Sequence, residues 1–469
     1  MVDERFPENP MDLPDAPAAD SGAASPARRP FLRWDVLGAL LVLSWPAVLE
    51  QVVLMFGGLF VTAILGHVGS AELAAAGFVN MIIAFLQTSF AGLATGTTVI
   101  VARLFGAGQE RTARSALFQS LLLALALSAA VTGLALAFSG PIAGAFFSAN
   151  SADAAALAPA YLRIVLLSLP FLVLDLTIAA AMRGAGDTLS PMLVSGVGMV
   201  LNVVLCVTLV PALGIVGAGI ALSASRTATA LLRVVLMFAL RARMYLGGER
   251  YRIDAPLMGR ILRQGLPAFL EQAVMQGGFL AMSGLLVGLG TAEYASWQVG
   301  VNMNSMAFMP IFGLAIATTT YVGQALGDGR LDDAGDGARE SVRLAIVVIS
   351  LLGILAAVFA EPIARIFTDD PAVLRSGVQL IRFFAVLEPL LGIMNISAST
   401  LRAGGDIWYV MATAVIGLWV FRVCLSFVLI RFGGFGLYGV MVGTACDFVA
   451  RATLYGLRVR KGRWKHRKV

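Results

Sequence analysis

Charge is scarce in this sequence. Asp, Glu, Lys and Arg make up 13% of its 469 residues, against about a quarter in a typical soluble domain. Hydrophobic residues account for 58%, and the mean hydropathy is +0.85. The shortage runs the whole length of the chain, so a bilayer must replace water around most of it. Histidine is nearly absent: His67 and His466 are the two present, which argues against a histidine-rich metal or haem site. Cys206, Cys424 and Cys446 all sit in apolar runs without a CxxC pair. They indicate neither a disulfide framework nor a zinc site, and read as small buried hydrophobes. No lysine precedes Lys461, so the Gly-Lys-Ser/Thr loop that cradles a nucleotide triphosphate is missing. No cofactor is indicated, and any pumping must draw on an ion gradient or a partner.

The net charge of +6 could suggest nucleic acid, but its position excludes that. All three lysines lie with four arginines in the last twelve residues, RVRKGRWKHRKV. That cluster adjoins the last apolar run, where it would meet the anionic headgroups of a cytoplasmic leaflet.

Residues 1–33 are rich in Pro, Ala, Asp and Ser without apolar periodicity, as in a disordered cytoplasmic tail; no cleavable signal peptide is indicated. From Trp34 onward, long apolar runs alternate with short polar breaks. Spans are expected at 37–66, 73–103, 115–139, 157–182, 191–211 and 215–240, then at 262–289, 294–326, 341–363, 376–401, 408–430 and 436–457. Each is long enough for a hydrocarbon core of about 30 Å. With the N-terminus inside, 25 of the 34 Arg and Lys fall in cytoplasmic segments or at their margins, as the positive-inside bias requires. A multi-pass protein of the plasma (inner) membrane, with both termini cytoplasmic, is expected.

The second half repeats the first. Pro46-Ala-Val-Leu-Glu-Gln51 returns as Pro267-Ala-Phe-Leu-Glu-Gln272, and from 46 to 108 there are 21 identities in 63 positions at an offset of 221. Arg183-Gly-Ala-Gly-Asp187 pairs with Arg402-Ala-Gly-Gly-Asp406 at offset 219, and Leu213–Gly217 with Phe435–Gly439 at offset 222. Six spans per half is an even number, so the halves share one orientation and are related by an axis along the membrane normal. The expected fold is an all-α polytopic membrane protein of about 12 transmembrane helices, in two pseudo-symmetric six-helix bundles around a central cavity. The units are residues 34–248 and 249–457, followed by the basic cytoplasmic tail 458–469. A monomer is expected.

At these motifs the sequence resembles the multidrug and toxic compound extrusion (MATE) family. The carrying residues are Pro46…Glu50-Gln51, Gly66-His-Val-Gly-Ser-Ala-Glu-Leu-Ala-Ala75, Arg183–Asp187, Ala295-Ser-Trp-Gln298…Asn302 and Leu401–Asp406, over a stretch from about 35 to 457. The resemblance implies secondary transport, with H+ or Na+ as the coupling ion exchanged for small amphipathic, often cationic, substrates. Family members often carry an acid late in span 1 that serves in coupling. Here Val61 stands in its place, which puts a coupling site there in doubt. A flippase for a lipid-linked precursor, which would line its cavity with arginines such as Arg226, Arg233 and Arg422, is the competing expectation. A membrane-embedded enzyme would need a clustered catalytic set that the spans lack.

Ionisable groups inside spans are costly and point to function. Residues kept in both halves are expected to hold the fold; those in one half are free to specialise. Glu50 and Glu271 are the symmetric pair, each four residues after a proline, and serve either the kink or cation binding. Asp175 faces Met394 across the repeat and has no countercharge among its sequence neighbours. It is either a coupling carboxylate or one side of an interhelical hydrogen bond. Glu388 is likewise unmatched, facing Leu169. Asp447 and Arg451 are expected to neutralise each other, and Arg226 and Arg422 to pair with acids from other helices. Gln298 and Asn302 share one face of span 8; with Asn202, Met275 and Met303 they are substrate-cavity candidates, or else ordinary helix packing. Arg183, Asp187, Arg402 and Asp406 are expected to shape gating or structural turns.

Overall fold

In a computed structural model, residues 33–139, 141, 152–239, 244, 246, 251–368 and 370–467 are described. The N-terminal tail expected at 1–33 thus lies outside them, apart from Arg33. The first half comprises α1 (Trp34–Gly66), α2 (Ser70–Gly106), α3 (Glu110–Ala137), α4 (Ala152–Leu167), α5 (Leu169–Gly184) and α6 (Leu189–Ala239). The second comprises α7 (Ala255–Val287), α8 (Thr291–Gly327), α9 (Leu331–Val358), the short α10 (Ala360–Phe367) and α11 (Pro371–Ala403). It continues through α12 (Ile407–Ile416), a π-helical turn at Gly417–Cys424, α13 (Leu425–Arg431) and α14 (Gly436–Arg460).

Among the described residues eight helices are long and apolar enough to cross a bilayer, and the pair α4–α5 makes a ninth that is bent by 43°. Pro170 in the first turn of α5 lacks the N–H that would continue α4, so the chain breaks there. The 51-residue α6 is two crossings: Gly214 departs from helical geometry with φ 55°, a left-handed conformation that glycine adopts without steric cost. Helices α7 and α14 are the repeat counterparts of the first and sixth crossings, and complete twelve. The crossing α12–α13 carries the π-turn, which inserts an extra residue's worth of rotation and carries Arg422.

Both described chain ends, Arg33 and Arg467, lie at one end of the bundle, here called the basic end. There α1 reaches under the second half. Its Val36, Leu40 and Leu43 belong to a core built mainly from α8, α9, α11 and α14. By the same symmetry α7 sends Leu257 and Ile261 into the first half's core beside Ile100, Ile178 and Met237. The crossing of each first helix beneath the opposite half makes the basic end one continuous packed layer.

Candidate functional site

Two seams hold the halves together, and small residues make both. Gly92 and Gly96 of α2 lie against Ala268 and Gly265 of α7: a methyl added at Gly96 would stand 2.6 Å from the Gly265 nitrogen. In the other seam Gly313 lies against Ser44 and Val48 of α1. Gly313 is the repeat counterpart of Gly92. Nearer the basic end α2 and α8 cross, with Gly106 on the backbone of Gln324 and Gly327 on that of Arg103. Small residues spaced four apart let helix backbones approach to this degree. The seam is bonded as well as packed: Thr320 Oγ1 donates to the Arg183 carbonyl (2.9 Å), and Gln324 Nε2 to that of Gly184 (2.9 Å).

Among the described residues, these close approaches lie between mid-height and the basic end. Toward the other end α2 and α8 turn exposed faces outward, including Met81 on one and its counterpart Asn302 on the other. On α8 the exposed row is polar. Gln298, whose Nε2 donates to Tyr294 Oη at 3.3 Å, precedes Asn302 and Ser305 on one face. A polar row on a membrane-crossing helix marks the wall of a water-filled space. The halves are therefore parted at one end and sealed at the basic end.

Beneath the parted end each half holds a buried ion network. In the first, Glu50 is 3% exposed and accepts hydrogen bonds from Arg183 Nη2 at 3.1 and 3.0 Å and from Ser195 Oγ at 2.6 Å. In the second, Arg402 Nη2 donates to Glu271 at 2.6 Å. The acids after the kink prolines and the arginines of the glycine turns thus form one device, built twice. Asp187 accepts from the Ser190 backbone N–H (2.9 Å) and starts α6. Asp406 is held by Arg458 (2.7 Å) and Arg467 (3.0 Å).

The first half adds a pair that the second lacks. Arg233, 1% exposed, places Nε 2.7 Å from Asp175 Oδ1, and its Nη2 donates to Ser195 Oγ (2.5 Å) and to the Pro191 carbonyl (3.2 Å). Asp175 has no countercharge among its sequence neighbours, as expected; the structure supplies an interhelical one from α6, far along the chain. At offset 222 Arg233 corresponds to Tyr455, whose hydroxyl donates to the Val410 carbonyl at 2.8 Å. Val410 corresponds in turn to Pro191. The same carbonyl is capped in both halves, so Arg233–Asp175 stands where Tyr455–Met394 stands in the other.

Arg451 grips Asp447 through two hydrogen bonds of 2.5 Å, and Arg422 Nε lies 3.1 Å from the same carboxylate. Arg422 also lies over the Phe448 ring at 5.0 Å. The pairing expected for Arg422 is therefore present. For Arg226 the structure corrects it: among the described residues no carboxylate lies within ion-pair distance, and Nη1 is buried without a hydrogen-bond acceptor. Glu388, 1% exposed, likewise has a buried Oε2 without a partner. Asn202 is buried and joins the two limbs of α6 through Ser225 (3.1 Å). Met275 is half-buried, and Met303 packs against Val299, Ala356 and Ile381. Sequence reasoning missed Ser195, Ser305 and the partnership of Arg458 and Arg467 with Asp406. Only the polar spacing of Ser305 after Asn302 could have signalled one of them.

Two repeat-related helical halves that cross the membrane, sealed at one end and parted at the other, define a two-lobe membrane transporter fold. A family model described as MatE matches residues 46–208 and 267–428, once in each half. The chain belongs to that family, the multidrug and toxic compound extrusion transporters. It is 29% identical over 446 residues to a probable multidrug resistance protein NorM of Thermotoga maritima, covering 92% of this chain and 93% of that one. It is 25% identical to the multidrug resistance protein MdtK of Pectobacterium atrosepticum, over 81% of this chain and 85% of that one. Among solved structures it matches the outward-facing conformation of a multidrug resistance MATE family transporter at a TM-score of 0.85. The identity there is 23%, covering 92% and 97% of the two chains.

Proposed function

We propose that this protein is a secondary active efflux transporter. It exchanges H+ or Na+ for amphipathic drugs or metabolites, cationic ones among them, by alternating access. The observation that carries the proposal is the cleft, parted at one end and closed at the other along seams repeated by symmetry. The relatives named for multidrug resistance support the substrate class. The charge distribution supports a cytoplasmic basic end in the inner membrane, so the conformation described is open to the outside. The residue units 34–248 and 249–457 are the rocking bodies in this proposal, working within a monomer. The exposed charges of the tail meet anionic headgroups. Arg233 and Arg422 carry carboxylates at 2.7 and 3.1 Å, which favours an antiporter over a flippase lined by free arginines.

Coupling is assigned to Asp175 with Glu50, and to Glu271 in the second half. The Asp175 side chain is 16% exposed, whereas that of Glu50 is 3% exposed, so Asp175 is the more accessible of the two carboxylates. A proton on Asp175 removes the nearest countercharge of Arg233 and leaves the guanidinium to Glu50, 3.9 Å away. Protonation is thereby converted into a shift of α6 toward α1. The test is efflux of a fluorescent lipophilic cation from proteoliposomes under imposed proton or sodium gradients. Asp175→Asn is expected to lose proton-driven efflux and proton release together. If both persist unchanged, Asp175 is not the coupling group.

A further inference from the structure

Five arginines placed within the halves, at 183, 233, 402, 422 and 451, each have a carboxylate within 4 Å. Arg226 does not. It lies on the face of α6 opposite the exposed apolar row Ile220, Leu231, Val235 and Phe238. It shares that inward face with Arg233, two turns on and about 10 Å away. The titratable groups that feel its charge are Tyr161 of α4 and Asp175, and Asp175 is already committed to Arg233. At offset 222 the second half has Phe448, so the shared fold does not require a cation at this position. An unpaired guanidinium in a low-dielectric interior is destabilising. Its planar fork of donors matches a carboxylate or phosphate better than any other partner. Arg226 is partly exposed while Nη1 is buried without an acceptor, so the side chain is not wholly enclosed and keeps a donor unused.

We propose that Arg226 anchors an oxyanion subsite in the first half, which takes a carboxylate or phosphate group of a molecule entering the cleft. This rests on the transporter reading and deepens it: a substrate that carries an acidic group gains an anchor besides its apolar body, and cations without one pass the cleft independently of Arg226. The test is equilibrium binding to the full chain in phosphatidylcholine nanodiscs, read by fluorescence anisotropy of 1-pyrenebutyrate and its neutral analogue 1-pyrenebutanol. No ion gradient is needed, so failure here leaves gradient-driven efflux untouched, and failure of efflux leaves this binding untouched. Wild type is expected to prefer the carboxylate at least tenfold. Arg226→Gln should abolish that preference without changing the affinity for the alcohol, and Arg226→Lys should keep most of it. Displacement of pyrenebutyrate by inorganic phosphate supports the site and assigns it to soluble anions. Displacement by phosphatidylglycerol in the discs supports it and assigns it to a lipid headgroup. Wild type without a preference, which needs no variant, or Arg226→Gln with the preference intact, overturns the proposal.

Discussion

Arg233 and Asp175 occupy positions that the second half fills with Tyr455 and Met394, while the carbonyl each network caps is the same. A buried ion pair is commonly no more stabilising than apolar residues of similar volume, but removing one partner costs about 3–5 kcal/mol. Asp175→Met alone should therefore lower stability by that order, and Asp175→Met with Arg233→Tyr should recover most of it. Reversible unfolding in mixed micelles measures both. If the double variant is folded yet uncoupled, the pair is kept for transport and not for the fold. The repeat made Asp175 legible as a specialised residue, because Met394 faces it. Its partner was not legible, because nothing in the local pattern of α6 says which helix its inward face meets. Arg226 shows the same limit from the other side: depth in an apolar run implied an acid that the tertiary structure does not supply.

Helices in lipid gain little from burying apolar surface against one another, so their contacts depend on shape. The α2–α7 and α1–α8 seams follow that rule with Gly92, Gly96, Gly265 and Gly313. A methyl at Gly96 meets the backbone of Gly265, which has no side chain to move aside. Overpacking of this kind costs about 1–3 kcal/mol, here charged to the sealed basic end alone. Gly96→Ala should shift the population away from the open-cleft state by at least about fivefold. Spin labels at Met81 and Asn302, after replacement of the native cysteines, should report a shorter mean distance; an unchanged distribution would contradict this role for the seam. The sequence showed these glycines inside apolar runs, but flexible kinks and close crossings look alike there. Span boundaries were largely legible, because length and hydropathy decide them, whereas the break at Pro170 and the π-turn around Arg422 were not marked out.

The whole molecule is closed at its basic end by bonds between the halves. Arg33, at the foot of α1, binds Asp333 (2.9 Å) and Asp336 (3.1 Å) of α9. Hydrogen bonding to Asp35 first, then to Asp336 and Asp333, holds its proton more firmly than in a free arginine. Arg103 of α2 donates to the carbonyls of Ala403 (3.1 Å) and Arg467 (2.8 Å). Trp464, 1% exposed, fastens the tail against Gly404. Part of the basic tail is thus a strap across the closed end. Partly exposed ion pairs contribute up to about 1 kcal/mol each, so Arg33→Ala, which removes two of them, should raise the fraction open at the basic end by up to about thirtyfold. Hydrogen exchange at 255–265 and 313–327 should accelerate accordingly, and high salt should mimic the substitution in wild type.

Composition and repetition alone determined the solvent, the number of crossings and the duplicated frame, because these follow from transfer free energies and from identity at a fixed offset. They also marked where the halves differ. Only the tertiary structure decided which charges meet, which are left without a counterion among the described residues, and at which end the cleft is sealed. Those outcomes depend on distances between helices far apart in the chain, and an ion pair forms or fails within a few ångströms that no local pattern records.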